Sequence, residues 1–447
     1  MEKSLGIDFF ILIAAAIGFI LYGYFGRRVK GGSAEEKLGL FRIAAGLSMS
    51  FIGGAATIAM SGIGYANGWI ALVDPIAVVF GGGFVVLLVS LFSVPDSNQG
   101  ASAYLAGGNK VRTLVYATCG IFVYLLLAGA QIVALQKIFT PYLGAQPALL
   151  VAVTLFSAIL GYIYKGGIGA VTKTDVLQFI IVVFLFVLPA IYGISTITSN
   201  VSLNPSIPQV PLDLRTVLML SLSLLFVPLS QDVWYRIRRS ESVTTARLGV
   251  MAGVIIYAAI VTIAISLGVF SAYAGIDVSD PESILTFFFT SELGVAGFVT
   301  AVIILAAVMS TLDSFSFNLI STLSEDLFGN KPQSSRYKYR RIAATFTVFF
   351  GCLVIVFFAS SVLSLVLTAL MIYVTVIGPG LVLNKVVKKD SILWVPALLI
   401  LALILSFGLA GVRIPYEPYS YLLIHLSLIA AAFLITKLGA YIANNRQ

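Results

Sequence analysis

The sequence predicts an all-α polytopic membrane protein of about thirteen transmembrane helices, ten of them forming a five-plus-five inverted repeat. Three observations carry that prediction. The 447 residues are 59% hydrophobic and only 10% charged, whereas a water-soluble domain is about 25% charged. Windows of about 20 predominantly apolar residues, the length that crosses a bilayer, follow one another almost without interruption. Lys and Arg gather in alternate loops. A surface of this composition must be solvated by a lipid bilayer. That excludes a cytosolic enzyme, a secreted scaffold and a nucleic-acid binder, despite a formal net charge of +8.

The predicted spans are roughly 5–25, 42–66, 69–94, 112–138, 147–164, 174–195, 213–235, 247–273, 294–320, 341–360, 362–384, 391–411 and 419–440. The first is followed by Gly26-Arg27-Arg28 rather than by a small-residue cleavage site, so it reads as a retained helix and not a signal peptide. Setting it aside with the last two spans leaves ten, in two halves of opposite orientation at about 42–195 and 213–384. In such repeats the first helix of each half is broken near the bilayer midplane. The matching segments fit. Residues 42–66 hold Gly46, Gly53, Gly54, Gly62 and Gly64 with Ser48, Ser50 and Ser61 between them, and residues 213–235 hold Pro228, Ser230, Gln231 and Asp232. Glycine also serves close helix packing, so it is the matched pair in register that speaks for broken helices. No stretch outside the spans is long enough for a second domain, so residues 1–447 read as one transmembrane transporter domain.

Orientation follows from the basic residues. With the N-terminus outside, inner loops collect Arg27, Arg28, Lys30, Arg236, Arg238, Arg239, Lys338, Arg340 and Arg341 among others, while Lys3, Lys137, Arg215 and Arg413 fall outside. The C-terminus is then cytoplasmic. Short loops and the lack of extra domains fit the plasma (inner) membrane of a prokaryote.

Ion chemistry concentrates in Ala306-Ala307-Val308-Met309-Ser310-Thr311-Leu312-Asp313-Ser314. At 3.6 residues per turn, Ala307, Ser310, Thr311 and Ser314 share a helix face and Asp313 lies beside it. A small residue next to two hydroxyls leaves room for a hard monovalent cation, with carbonyls from an unwound neighbour as further ligands. Helical Ser and Thr also bond back to their own preceding carbonyls. Asp313 favours the ion reading, because a carboxylate at the bilayer centre costs about 2.5–3.5 kcal/mol and marks an ion or proton path. Asp175, next to Thr174 at the predicted start of a helix, serves equally as a helix cap or as an ion ligand. Asp232 pairs with Arg236 at i,i+4 and reads as structural. Asp74, before Pro75, lies near the outer end of its span and suits an outer vestibule.

Other chemistries are poorly served. The two cysteines, Cys119 and Cys352, lie far apart in apolar runs, and His425 is the single histidine. No phosphate-binding Gly-x-x-x-x-Gly-Lys-Ser/Thr loop exists, so the driving force for transport is a gradient or the substrate's own potential rather than ATP hydrolysed by this chain.

Three stretches resemble the sodium/solute symporter family, which includes carriers of proline, pantothenate, sialic acid, sugars, iodide and choline. They are Gly166 to Gln178 with its Thr174-Asp175-Val176, Ala306 to Ser314 continuing through Asn318 and Asp326, and Leu47 to Gly68 with Met60-Ser61-Gly62-Ile63-Gly64-Tyr65. The resemblance implies a LeuT-type fold, alternating access and Na+ as coupling ion. It implies a sodium site from Met49, Ile52, Ala307, Ser310 and Thr311, and in some members a second from Asp175, Ser310, Asp313 and Ser314. The pocket-facing candidates are Ala56, Gln131, Phe226, Ser230 and Tyr373. The chain departs from the family's sugar carriers, which place Gln where it has Ala56 and Asn where it has Ser230. It departs from the proline carriers, which place Trp where it has Ala55.

The expectation is therefore a sodium-driven symporter of a small organic solute (an amino acid, carboxylate or similar), and no enzyme. A proton-coupled symporter through Asp175 and Asp313 is the alternative. A non-transporting solute sensor would need a signalling domain, for which a chain ending at Gln447 leaves no room. A channel would need a filter-like repeat. The sequence does not distinguish a monomer from a homo-oligomer.

Overall fold

The computed structural model describes residues 7–25, 37–91, 102–103, 110–200, 217, 220–290, 295–327, 335–359 and 361–372. The predicted spans at roughly 391–411 and 419–440 lie outside the described residues, as do Tyr373 and the basic residues Arg27, Arg28 and Lys30.

The described chain is all helical, save one isolated bridge between Leu38 and Ser240. In order come α1 (Ile7–Phe25), α2 (Leu40–Phe51), a π turn at Ala55–Ala59, α3 (Met60–Asn67), α4 (Val73–Leu91), α5 (Lys110–Leu143) and α6 (Ala145–Asn200). Then follow α7 (Ser223–Leu229), α8 (Gln231–Ile237), α9 (Val243–Tyr273), α10 (Ile284–Thr290), α11 (Val295–Ser321), α12 (Ser335–Phe358) and α13 (Val362–Ile372). Several of these are fragments of one crossing, and seven described stretches are long and apolar enough to cross a membrane. Large apolar side chains such as Phe80, Leu150 and Phe357 are exposed on the outside of the bundle, where lipid rather than water meets them.

The two segments read as breakable are broken. α2 ends at Ile52 (φ −82°, ψ 70°), and the chain re-enters helical geometry at Gly54 before α3. Ser230, with φ −64° and ψ 122°, separates α7 from α8. The entry to α2 is tied to the turn that follows α8: the Leu38 amide donates to the Arg239 carbonyl at 2.6 Å and the Glu241 amide to the Leu38 carbonyl at 3.2 Å.

One boundary differs from expectation. Two spans predicted at roughly 147–164 and 174–195 meet at a sharp kink in α6, where Gly167 takes φ 59° and ψ −147°, a conformation open to glycine and costly for other residues. The second arm is helical from there on, so Asp175 sits about two turns inside it. The helix-start role considered for Asp175 is thereby withdrawn.

α11 is the axis of the molecule. Of its apolar window 89% is buried, against 22% for α1 and for α12. It packs against α6, α5 and α2, and this sets its polar face against the breaks in the neighbouring helices.

Candidate functional site

A helix at the centre of a bilayer protein has no water for its polar groups, so each must find a partner inside the bundle. On α11 the groups Ser310, Thr311, Asp313, Ser314 and Asn318 are all buried, and their partners define the site.

The first node joins α11 to the α2 break. Thr311 Oγ1 donates to the Met49 carbonyl at 2.8 Å and to its own Ala307 carbonyl at 3.1 Å. The helical back-bond and the cross-helix contact thus coexist. Close approach requires glycine at the break: a Cβ on Gly53 would stand 2.6 Å from Thr311 Oγ1 and 2.5 Å from Gln131 Oε1. Gln131 Oε1 accepts from the Gly54 amide at 2.7 Å, replacing a helical acceptor lost at the break. Ile52 is fully buried at the break itself.

A second node is built on carboxylates. Asp313 Oδ2 accepts from Tyr162 Oη at 2.5 Å and from Thr174 Oγ1 at 2.8 Å. Its Oδ1 is buried with no hydrogen-bond partner among the described residues. Asp175 Oδ1 accepts from Ser310 Oγ at 2.6 Å, so Ser310 faces α6 while the adjacent Thr311 faces α2.

A third node was not legible in the sequence. Arg236, counted there as a loop residue that marks orientation, is 2% exposed and reaches into the bundle. Its Nη2 donates to Ser50 Oγ at 2.7 Å, to Ser314 Oγ at 3.2 Å and to Asp175 Oδ2 at 3.4 Å. Its Nε donates to Asp232 Oδ2 at 3.1 Å, and Asp232 Oδ1 accepts from Asn318 Nδ2 at 2.8 Å. The i,i+4 pair is present as expected. The pair belongs to a buried network linking α2, α6, α8 and α11. Two carboxylates, Asp175 and Asp232, pair with the one guanidinium, while Asp313 has only the neutral hydroxyls of Tyr162 and Thr174 as partners among the described residues.

Beside the α2 break lies a cavity of about 80 Å³, smaller than the sites that hold drug-sized ligands. Gln131 and Phe226 line it, together with Ser50, Phe51, Asp74, Ser223, Tyr257 and Thr311. Ala56 is buried but outside the wall, which its neighbours Ala55 and Ala59 form instead. Ser230 is also outside it, with its Oγ 3.2 Å from Tyr124 Oη. Asp74 Oδ1 accepts from Ser223 Oγ at 2.5 Å and Oδ2 from Tyr257 Oη at 2.7 Å. Ser223 and Tyr257 escaped sequence reading; the usable signal was Asp74, an acid within an apolar span. Thr311 and Ser50 belong both to the cavity wall and to the polar nodes.

No protein-family model matches this sequence, and no curated protein matches it either. Solved structures do share its fold. One is a Na+-coupled sialic acid symporter, substrate-bound and outward-open, reported with a novel Na+ site; it is 15% identical, with TM-score 0.70, and the alignment covers 97% of this chain and 98% of that one. Another is Mhp1, a nucleobase-cation-symport-1 family transporter, in a closed conformation with bromovinylhydantoin bound; it is 16% identical, with TM-score 0.57, over 92% of this chain and 94% of that one. Similarity over nearly the whole length of both, at this identity, shows a common fold.

Proposed function

We propose that the chain is a secondary active transporter that couples inward movement of Na+ to uptake of a small organic solute by alternating access. The observation that carries this reading is the junction of Thr311 with the Met49 carbonyl across the α2 break. A backbone freed from helical pairing, set against hydroxyls on the most buried helix, is a cation site at membrane depth. The carbonyls of Met49, Ile52 and Ala307 and the hydroxyls of Ser310 and Thr311 are the proposed ligands of one sodium ion. Hydroxyl protons rotate, so Thr311 can turn its proton away and offer the same oxygen to an ion.

Asp313, Asp175 and Ser314 supply a second ion, with Ser310 shared. The unpartnered Oδ1 of Asp313 supports this, because a buried carboxylate oxygen without a donor is costly. A proton is the competing occupant of Asp313, and sodium dependence separates the two.

The proposal includes the complete plan of about thirteen spans, with α1 outside the repeat, residues 42–195 and 213–384 as inverted repeats, and two helices at 391–440. The breaks at Ile52 and Ser230, each in the first helix of its half, support it. The N-terminus lies outside and the C-terminus in the cytoplasm of a prokaryotic plasma membrane.

The gradient is sufficient. A tenfold sodium gradient contributes about 1.4 kcal/mol and a potential of about 100 mV adds roughly 2.3 kcal/mol per charge. One ion thus supports roughly 500-fold accumulation of a neutral solute.

Thermal unfolding of the purified protein in sodium chloride and in potassium chloride, at equal ionic strength, tests the reading. A sodium-specific rise in Tm that vanishes in Ser310→Ala/Thr311→Ala supports it. Equal Tm in the two salts, with a stability that follows pH instead, would replace sodium by protons.

A further inference from the structure

We propose that the cavity beside the α2 break takes a small organic cation, an ammonium with an apolar body, and that Asp74 is its counter-charge. This rests on the cavity being the substrate site of a solute carrier.

The wall carries its charge at one place. Among the described lining residues Asp74 is the only ionisable acid or base apart from the phenol of Tyr257, and most of the remainder are aliphatic or aromatic. Asp74 is 7% exposed and accepts two hydrogen bonds, one per oxygen, both from neutral hydroxyls. Among the described residues no Lys or Arg stands within ion-pair distance of it. The nearby guanidinium of Arg236 touches Ser50 from behind the wall, and its charge is already matched by Asp175 and Asp232. A desolvated carboxylate held by two neutral donors lacks a counter-charge. A cationic ligand supplies one on arrival, and an anionic ligand meets repulsion with no basic group to offset it.

One aromatic ring touches this carboxylate, and two more line the same cavity. Tyr257, whose hydroxyl binds Asp74, packs against Phe51 at 6.0 Å between ring centroids, and Phe51 packs against Phe226 at 5.6 Å. All three line the cavity. Ring faces attract an ammonium most strongly where water is excluded, so carboxylate and rings select the same chemical class. The expectation of an amino acid or carboxylate solute narrows accordingly: a free carboxylate finds no cationic partner in this wall.

Binding of matched probe sets to the purified full chain, measured by calorimetry in sodium chloride and again in potassium chloride, tests the proposal. One set is choline, its uncharged carbon isostere dimethylbutanol, and dimethylbutanoate. The other is phenethylammonium, phenylethanol and phenylacetate. The expected result is that the ammonium member of at least one set binds about tenfold or more tighter than both its partners. That preference should disappear in Asp74→Asn and persist in Asp74→Glu. Neutral or anionic members binding as well as the ammonium in both sets, or a preference that survives Asp74→Asn, would overturn the proposal. The wild-type comparison stands even if a variant misfolds. An Asp74-dependent preference, with the ammonium bound equally tightly in both salts, would uphold the cation subsite while removing sodium coupling. Sodium-specific stabilisation without any ammonium preference would do the reverse.

Discussion

The guanidinium of Arg236 lies 3.4 Å from the carboxylate of Asp175, both side chains almost completely buried, and the contact joins α8 to the second arm of α6. Buried pairs of this kind contribute little net stability when intact, yet removal of one partner strands the other. Arg236→Met should therefore cost about 3–5 kcal/mol. Chemical unfolding in detergent would show it. Arg236→Lys should recover only part of the loss, because an ammonium cannot reproduce a fork that reaches Ser50, Ser314 and two acids.

Gly53→Ala places a methyl 2.6 Å from Thr311 Oγ1 and 2.5 Å from Gln131 Oε1. We expect a folded protein in which sodium no longer raises Tm, since the α2 break must shift away from α11. Gly83→Ala is the matched control: a Cβ there meets nothing within 4 Å. It should leave the sodium response intact and stabilise α4 by up to about 1 kcal/mol.

Asp313→Asn keeps the shape of the side chain and removes its charge. Tyr162 and Thr174 can still donate to its oxygen, so folding should survive. Sodium affinity or coupling should fall by about tenfold or more, equivalent to about 1.4 kcal/mol. Transport with an unchanged sodium dependence would remove Asp313 from the ion path.

Glu282 accepts from the amides of Val362 at 3.1 Å and Leu363 at 2.9 Å, and pairs with Lys137 at 3.0 Å. It caps α13 by way of a distant segment. Glu282→Ala should cost about 1–2 kcal/mol, with hydrogen exchange accelerating first at the start of α13. Glu282→Gln should be milder, retaining an acceptor for the amides and losing the ion pair.

Much of this architecture is legible in the sequence because a bilayer penalises polar groups by depth. Asp313, Asp175 and Asp74 stand out against apolar runs, and glycines and Ser230 mark both breaks. The network around Arg236 is hidden for the opposite reason. An arginine at the end of a span is ordinary as an orientation signal, and only tertiary packing shows that its side chain turns inward. The wall of the cavity is similarly obscure: Phe51, Tyr257 and Ser223 lie in different helices, and nothing in their local spacing announces that they meet. For Asp175, sequence misjudged the helix start, because the glycine pair at Gly166 and Gly167 marks a kink and not a long loop.

Thr311 stands in two walls at once, with one oxygen against Met49 and Ala307 and the same side chain lining the cavity. Any rearrangement there is felt on both sides. Linkage requires the effect to be reciprocal: whatever factor an ion at the break adds to solute affinity, the solute must return to ion affinity. Under the proposed function, a change at this one threonine shifts ion affinity and solute affinity together.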